Sequence, residues 1–312
     1  MFLQKFFKKD IILFAVVFIL VGIGFYFWTD LDKKTPDFND FQAQPVFSKR
    51  TIIATDPIIF YIAKSLSLNI NNLDILLIYY DELGVDSFWK KIKEEKNISK
   101  NPTFIFFNTP YDNWVKEVYK KEEGVILVNF EDSIKEDPLF LGEQQEDLNL
   151  GEYFFMSLRG GMVVIQTIAH ALGGADPVNK EFYINNAYDQ IVKLQDVYKQ
   201  SRDQIAKSSE SKILYEKKWK RFFSDLGDNF TNNFDISDSK YSFVYLKNII
   251  TTKKIKAIAV DQDFPVDDFK KFLEENFLKV KVVVLKNSLS LGDDYLQINI
   301  DNLSSVIGAL LN

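Results

Sequence analysis

Short apolar runs alternate with longer amphipathic segments from residue 51 onward. The runs in the first half have the length and composition of buried strands, and they are 51–54, 73–80, 102–108 and 124–130. The segments between them have the spacing of amphipathic helices, and they are 56–66, 87–96 and 112–121. Strands that alternate with helices form a largely parallel sheet covered by helices, so this half is predicted to be an α/β unit.

The second half of the chain repeats the same order of elements. Its predicted elements are a strand at 255–260, a helix at 265–277, a strand at 280–285 and a closing helix at 302–311. Between the halves lie a helix at about 160–173 and a long amphipathic segment at 176–207. About 30 residues of helix span roughly 45 Å, which is longer than one small domain is wide.

The predicted fold class is therefore α/β, with two α/β lobes bridged by one long helix and an N-terminal transmembrane helix. The predicted boundaries place the N-terminal lobe at 49–175, the linking backbone helix at 176–207 and the C-terminal lobe at 208–312.

The N-terminus carries the signal for membrane attachment. Residues 11–28 are eighteen uncharged, almost wholly apolar residues, which is just enough to span a bilayer, and Lys5, Lys8 and Lys9 precede them. The run ends in four aromatic residues (25–28), as at a membrane interface. We predict an uncleaved signal anchor at 1–28, a polar tether at 29–48 and a single-pass protein whose body is extracytoplasmic. Cleavage just after the span is the alternative.

Composition excludes several kinds of site. The chain has no cysteine and one histidine, so thiolate sites, disulfides and multi-histidine zinc sites are excluded. Its net charge of −6 gives no support to nucleic-acid binding. No P-loop, Gly-x-Gly-x-x-Gly or Gly-x-Ser-x-Gly motif is present. We predict that the protein is not an enzyme. The short basic run 217–221 is interpreted as a solvated face.

The one histidine, His170, follows an apolar stripe formed by Ile165, Ile168, Ala169 and Leu172. At 100° per residue it falls about 150° from the centre of that stripe. We therefore interpret His170 as a solvated helix residue rather than as a ligand or a base.

Residues 152–195, with 51–66, 104–114 and 255–275, resemble the zinc- and manganese-binding solute-binding proteins of ABC transporters. In that family a helix ends in an Asp-Pro-Glu-Asn-like turn, and a long backbone helix carrying a Tyr and an Asn follows. The residues that match are Asp176, Pro177, Asn179, Tyr183, Asn186 and Leu194. In 104–114 the match is a strand ending in Asn, followed by Asp112 and Trp114. The similarity covers about 51–312 and implies a monomer that works with an ABC permease.

The resemblance also implies a ligand set, and here the chain departs from the family. Members place three imidazoles and one carboxylate between the lobes. The matching positions carry Tyr153 in place of the loop histidine, Tyr80 or Asp86 in the N-terminal lobe, and Asp225 or Ser224 in the C-terminal lobe. Asp261 matches the remaining acidic ligand. The predicted metal site is therefore Tyr80, Tyr153, Asp225 and Asp261.

Three interpretations of this site stay open. Oxygen ligands suit Mn²⁺ or Ca²⁺ better than Zn²⁺, although ionising a phenol at pH 7 costs about 3 pKa units. The metal site is lost in the second interpretation, and the cleft takes a different small ligand in the third. We expect a membrane-anchored solute-binding protein whose metal site is altered or lost. The alternatives are a structural or adhesive surface protein and a glycosyltransferase-like enzyme that uses Asp261 and Asp263.

Overall fold

Two parallel sheets form the framework of residues 49–312, which make one compact unit. The computed structural model describes residues 50–77, 103–107, 115–116, 125–130, 152–207, 212–227, 230, 233–234, 243–287 and 294–311. The predicted anchor, the tether, the helix at 87–96 and the irregular segment 131–150 lie outside these residues. Within them, no helix is both long and apolar enough to cross a membrane.

The first sheet confirms the strands predicted for the first half. Its strands are β1 (Arg50–Ala54), β2 (Leu73–Leu77), β3 (Thr103–Phe107) and β4 (Val125–Asn129). They pair in the order β2-β1-β3-β4, and every pair is parallel. Helix α1 (Pro57–Leu66) follows β1 because Asp56 caps it: Oδ1 accepts from the backbone N of Ile58 at 2.7 Å and of Ile59 at 3.2 Å.

The second sheet contains two strands that the sequence analysis did not predict. Its strands are β5 (Ile213–Glu216), β6 (Asn233–Phe234), β7 (Ala257–Asp261) and β8 (Lys281–Leu285). They pair in the order β6-β5-β7-β8, again in parallel. The unpredicted strands β5 and β6 have four and two residues, too few to show a periodic pattern in the sequence.

Of the seven remaining helices that the structure describes, three begin and end close to the predicted positions. The seven helices are α2 (Glu152–Phe155), α3 (Leu158–Ala175), α4 (Lys180–Ala206), α5 (Lys220–Leu226), α6 (Phe243–Lys253), α7 (Val266–Glu275) and α8 (Tyr295–Leu311). Two 3₁₀ turns, Pro177–Asn179 and Lys217–Trp219, precede α4 and α5. Helices α2, α5 and α6 were not predicted, and α8 begins before the predicted residue 302.

The long helix starts at Lys180 rather than at residue 176 because Asp176 holds the preceding turn. Its Oδ2 accepts from Asn179 Nδ2 at 2.7 Å and from Tyr183 Oη at 2.9 Å. Burial raises the pKa of Tyr183, and the bond to Asp176 acts in the same direction. These are three of the residues that match the family's turn, so the match reflects a packed corner between α3 and α4.

Helix α3 is more completely buried than the predicted stripe suggested. Its buried residues include Val163, Val164 and Ala171, which lie outside the stripe. The helix packs against α1, α4 and α5, so more than one side is covered. His170 is half-buried because of this packing, so it is less solvated than the sequence predicted.

Candidate functional site

Two carboxylates meet where strands β5 and β7 end. The strands pair in parallel with Tyr215 opposite Ala259, so Glu216 and Asp261 both lie at the carboxyl edge of the sheet. Ligand sites in open parallel sheets lie at this edge. The two residues are in direct contact, because the backbone N of Asp261 donates to Glu216 Oε2 at 2.6 Å. Both are buried, with side chains 2% and 0% exposed.

Lys218 places its ammonium against both carboxylates. Its Nζ lies 2.6 Å from Asp261 Oδ2 and 3.7 Å from Glu216 Oε2. One third of its side chain is exposed. The 3₁₀ turn after β5 sets this geometry, because Trp219 in the same turn is fully buried and packs edge-on against Phe222. The turn therefore brings Lys218 to the end of β7.

Further donors surround Asp261. Its Oδ1 accepts from the backbone N of Gln262 at 2.8 Å, and its Oδ2 also accepts from Asn287 Nδ2 at 3.3 Å. Asn287 is itself buried and follows β8. The pKa of the Glu216 carboxyl is raised above its ordinary value, mainly by burial. The bond from the Asp261 amide and the charge of Lys218 act in the opposite direction but do not cancel this effect. We name Glu216, Lys218, Asp261 and Asn287 the β5–β7 edge cluster.

Asp225, the second predicted carboxylate ligand, is bound to Arg159. Its Oδ2 accepts from the backbone N of Arg159 at 3.1 Å and its Oδ1 accepts from Arg159 Nε at 3.0 Å. The side chain of Asp225 is 6% exposed and that of Arg159 is 40% exposed. Asp225 thus joins α5 to the first turn of α3, and it could ligate a cation only by releasing Arg159. Ser224, its alternative, is exposed and donates from Oγ to the carbonyl of Lys220.

Tyr153, the predicted loop ligand, lies in the short helix α2. Three hydroxyls hold the end of this segment: Tyr198 Oη donates to the Met156 carbonyl at 2.9 Å, and Ser157 Oγ donates to the Phe154 carbonyl at 2.8 Å. Tyr295 Oη, from α8, donates to the Phe155 carbonyl. Burial raises the pKa of both Tyr198 and Tyr295.

The other residues proposed from the sequence do not join the β5–β7 edge cluster in the described part of the chain. Tyr80 and its alternative Asp86 lie outside the described residues. Asp263 is exposed, whereas Asp261 is buried and bound to Lys218, so the two aspartates of the enzyme alternative lie in different environments. In the described ranges, no three carboxylate or imidazole side chains are grouped so that they could hold a metal ion.

Sequence reasoning missed both Glu216 and Lys218. The prediction that the basic run 217–221 is a solvated face was wrong for Trp219, which is fully buried. Lys218 is exposed as predicted, but its ammonium also binds Asp261, which the sequence did not indicate. The available signal was the apolar triplet 213–215 followed by an acid and two lysines. Three apolar residues followed by an acid are what a strand ending in a carboxylate requires. A strand this short cannot be identified from the sequence without its partner strands.

Comparison with known proteins places the chain in a family. The family model described as zinc-uptake complex component A, periplasmic, matches residues 87–309, which is most of the chain. The chain belongs to this family. The resemblance predicted from the sequence is confirmed. The zinc-uptake component A family consists of solute-binding proteins and not of enzymes.

The relatives of this chain are distant in sequence. It is 24% identical over 261 residues to the metal ABC transporter substrate-binding lipoprotein SloC of Streptococcus mutans, a match covering 80% of this chain and 77% of that protein. Its fold is similar to the metal-dependent lipoprotein YcdH of Bacillus subtilis, with a TM-score of 0.63, 20% identity and 85% of this chain covered against 100% of that chain.

A second structural neighbour is the Mn-bound periplasmic metal-binding protein of Candidatus Liberibacter asiaticus. The TM-score is 0.62 at 19% identity, and the match covers 84% of this chain and 100% of that chain. These likenesses establish the α/β fold of the chain.

Proposed function

We propose that the protein is a membrane-anchored, extracytoplasmic solute-binding protein that delivers its solute to an ABC permease through an altered cation site. The observation that carries this proposal is the family match over residues 87–309. The lipoprotein and periplasmic names of the relatives support an extracytoplasmic body. The single-pass helix at 1–28 and the monomeric state belong to the same proposal.

The proposed architecture is two lobes, one around each sheet, bridged by α4. The solute cleft would lie between the lobes, at the carboxyl edges of both sheets, because α/β sheets bind ligands there. The β5–β7 edge cluster would supply the C-terminal side of this cleft. Tyr80 and Tyr153 stay predictions for the opposite side.

The proposed cargo is a divalent cation that binds weakly or a different small solute. The ligand positions of the family carry oxygen groups here, which suit Mn²⁺ or Ca²⁺ better than Zn²⁺. Zinc prefers nitrogen and sulfur ligands in closed sites, and the chain has one histidine and no cysteine. We expect the body, residues 49–312, to bind zinc no more tightly than about 10 μM, roughly −7 kcal/mol.

Titration calorimetry on chelator-stripped protein tests this proposal. Any measurable binding should favour Mn²⁺ or Ca²⁺ over Zn²⁺ and should weaken on Asp261→Ala. Asp263→Ala is the matched control, because Asp263 is exposed and lies two positions further along the chain. Stoichiometric nanomolar zinc binding that survives Asp261→Ala would contradict an altered cation site.

Delivery to a permease needs a separate experiment. Detergent-solubilised membranes from cells that carry the full chain should yield a cross-linked complex with a multi-span permease encoded beside it. Recovery of the protein with cell-wall or host-surface material, and with no permease, would favour the structural or adhesive alternative instead.

A further inference from the structure

We propose that the Lys218 ammonium is a tethered cation that occupies the carboxylate end of the solute cleft and excludes divalent ions from it. The inference rests on the proposed function in one respect, namely that the carboxyl edge of β5 and β7 faces the solute. It adds a residue that determines specificity, Lys218, to the acidic residue that the family resemblance identified.

The burial of the three side chains supports this assignment. The side chains of Asp261 and Glu216 are 0% and 2% exposed, whereas that of Lys218 is 33% exposed. Two adjacent buried carboxylates repel each other and lose hydration, so the pair needs a positive charge beside it. Lys218 supplies that charge from the solvent side, at 2.6 Å from Asp261 Oδ2.

The ammonium also prevents the carboxylates from binding a metal ion. An ammonium group has donors only, so it contributes no lone pair to a metal ion. It engages Asp261 Oδ2, the oxygen that also accepts from Asn287, and a divalent ion bound there would have to displace it. Because Lys218 is attached to the same chain, it returns to the carboxylates at a high effective concentration.

The charge balance favours the same conclusion. With both acids ionised, Lys218 reduces the negative charge of the cluster from −2 to −1. Affinity for hard divalent ions rises with the number of anionic oxygens available to them. Removing Lys218 would leave two carboxylates, whose oxygens are ligands suited to Mn²⁺ or Ca²⁺.

The test compares Mn²⁺ binding by the full chain in mild detergent across a small set of variants. Lys218→Gln removes the charge and keeps most of the side-chain length. Lys218→Arg keeps the charge, and Lys217→Gln removes the charge of an exposed neighbour. Electron paramagnetic resonance of free Mn²⁺ measures the dissociation constant of each.

We expect Lys218→Gln to bind Mn²⁺ about tenfold or more tightly than the unmodified chain, since a charge-assisted bond no longer has to be broken. Lys218→Arg and Lys217→Gln should bind as weakly as the unmodified chain. Equal affinity of Lys218→Gln and the unmodified chain would overturn the proposal, and so would an equal gain in Lys218→Arg. Neither result bears on delivery to a permease, which the cross-linking experiment tests separately.

A second measurement uses the unmodified chain and does not depend on whether a variant folds. Acetylation by an amine-reactive ester, read by peptide mass spectrometry, compares Lys218 with Lys217 in one sample. We expect Lys218 to react several-fold more slowly than Lys217 in the folded protein, and equally fast in denaturant. Equal rates in the folded protein would contradict a Lys218 ammonium held on the carboxylates.

Discussion

Lys218 Nζ lies 2.6 Å from Asp261 Oδ2, although the two residues are 43 positions apart in the chain. Asp261 is the residue that the family resemblance predicts to be the acidic ligand, so a lysine of the same chain binds the carboxylate where that prediction expects a cation. The pairing arises because β5 and β7 are neighbours in the second sheet and end at the same edge.

Replacing Tyr295 by Phe should destabilise the protein in a pH-dependent way. At pH 7 the loss of the bond to the Phe155 carbonyl should cost about 1 kcal/mol of unfolding free energy. Burial raises the pKa of Tyr295 above its unfolded value of about 10, so the folded state binds the proton more tightly. The stabilisation by this tyrosine is complete below about pH 10 and decreases as the pH rises further.

The unfolding free energy of the unmodified chain minus that of Tyr295→Phe should therefore fall by about 1.4 kcal/mol per pH unit above about pH 10 and reverse its sign by about pH 11. Urea unfolding between about pH 7 and pH 11 measures it. A difference that stays constant across this range would show that the Tyr295 hydroxyl ionises as readily in the folded state as in the unfolded state.

Gly161→Ala should destabilise the protein by about 1–3 kcal/mol because it overpacks the start of α3. A methyl group at this position would clash with the Tyr295 hydroxyl and approach Leu194 Cδ2 at 2.9 Å. Gly308→Ala is the control, since its methyl group would meet nothing within 4 Å and α8 should gain up to about 1 kcal/mol in helix propensity. Thermal unfolding measures the stability of both variants. Equal changes in stability for Gly161→Ala and Gly308→Ala would refute the close approach of Tyr295 and Leu194 to Gly161.

Asp225→Asn should lower the unfolding free energy by about 1 kcal/mol, a modest value because Arg159 is 40% exposed. We expect Mn²⁺ binding to be unchanged, since the geometry uses Asp225 to join α5 to α3. Ser224→Ala serves as the neighbouring exposed control. A loss of Mn²⁺ affinity in Asp225→Asn without a loss of stability would support the original prediction that Asp225 is a ligand.

Closure of the proposed lobes around a solute should be small. Helix α4 contains no Pro or Gly over Lys180–Ala206, and a sharp bend in a helix needs one of these or a bulge. Small-angle scattering of residues 49–312 with and without Mn²⁺ should give nearly the same radius of gyration. A decrease of several ångströms on adding the ion would rule out a stiff connection.

The N-terminal segment should remain on the mature protein. Intact-mass analysis of membrane-extracted protein is expected to include residues 1–28, because the apolar run 11–28 is long enough to span a bilayer. A mature chain that begins near Thr29 would show instead that the segment is a cleaved signal peptide.

Local patterns in the sequence were sufficient for the first sheet, for α1 and for the family. The inner strands β1 and β3 contain the apolar runs 52–54 and 104–107, which a strand buried on both faces requires. The outer strands β2 and β4 are mainly apolar and half-buried. Asp56 followed by Pro57 is a helix start that depends only on adjacent residues. The Asp176–Asn179–Tyr183 turn was also visible, because its partners lie within one or two helical turns.

Only the tertiary structure determined the role of the basic run and of the predicted ligands. Glu216 and Asp261 become neighbours through the pairing of β5 with β7, and a four-residue strand has too few positions to show that pairing in advance. Lys218 and Asp225 are charged residues on short helical turns, and from the sequence alone such residues are expected to contact only solvent. Their partners, Asp261 and Arg159, are 43 and 66 positions away. Local sequence determines which segments become strands and helices, whereas the fold determines which charges meet, because ion pairing depends on distance in space.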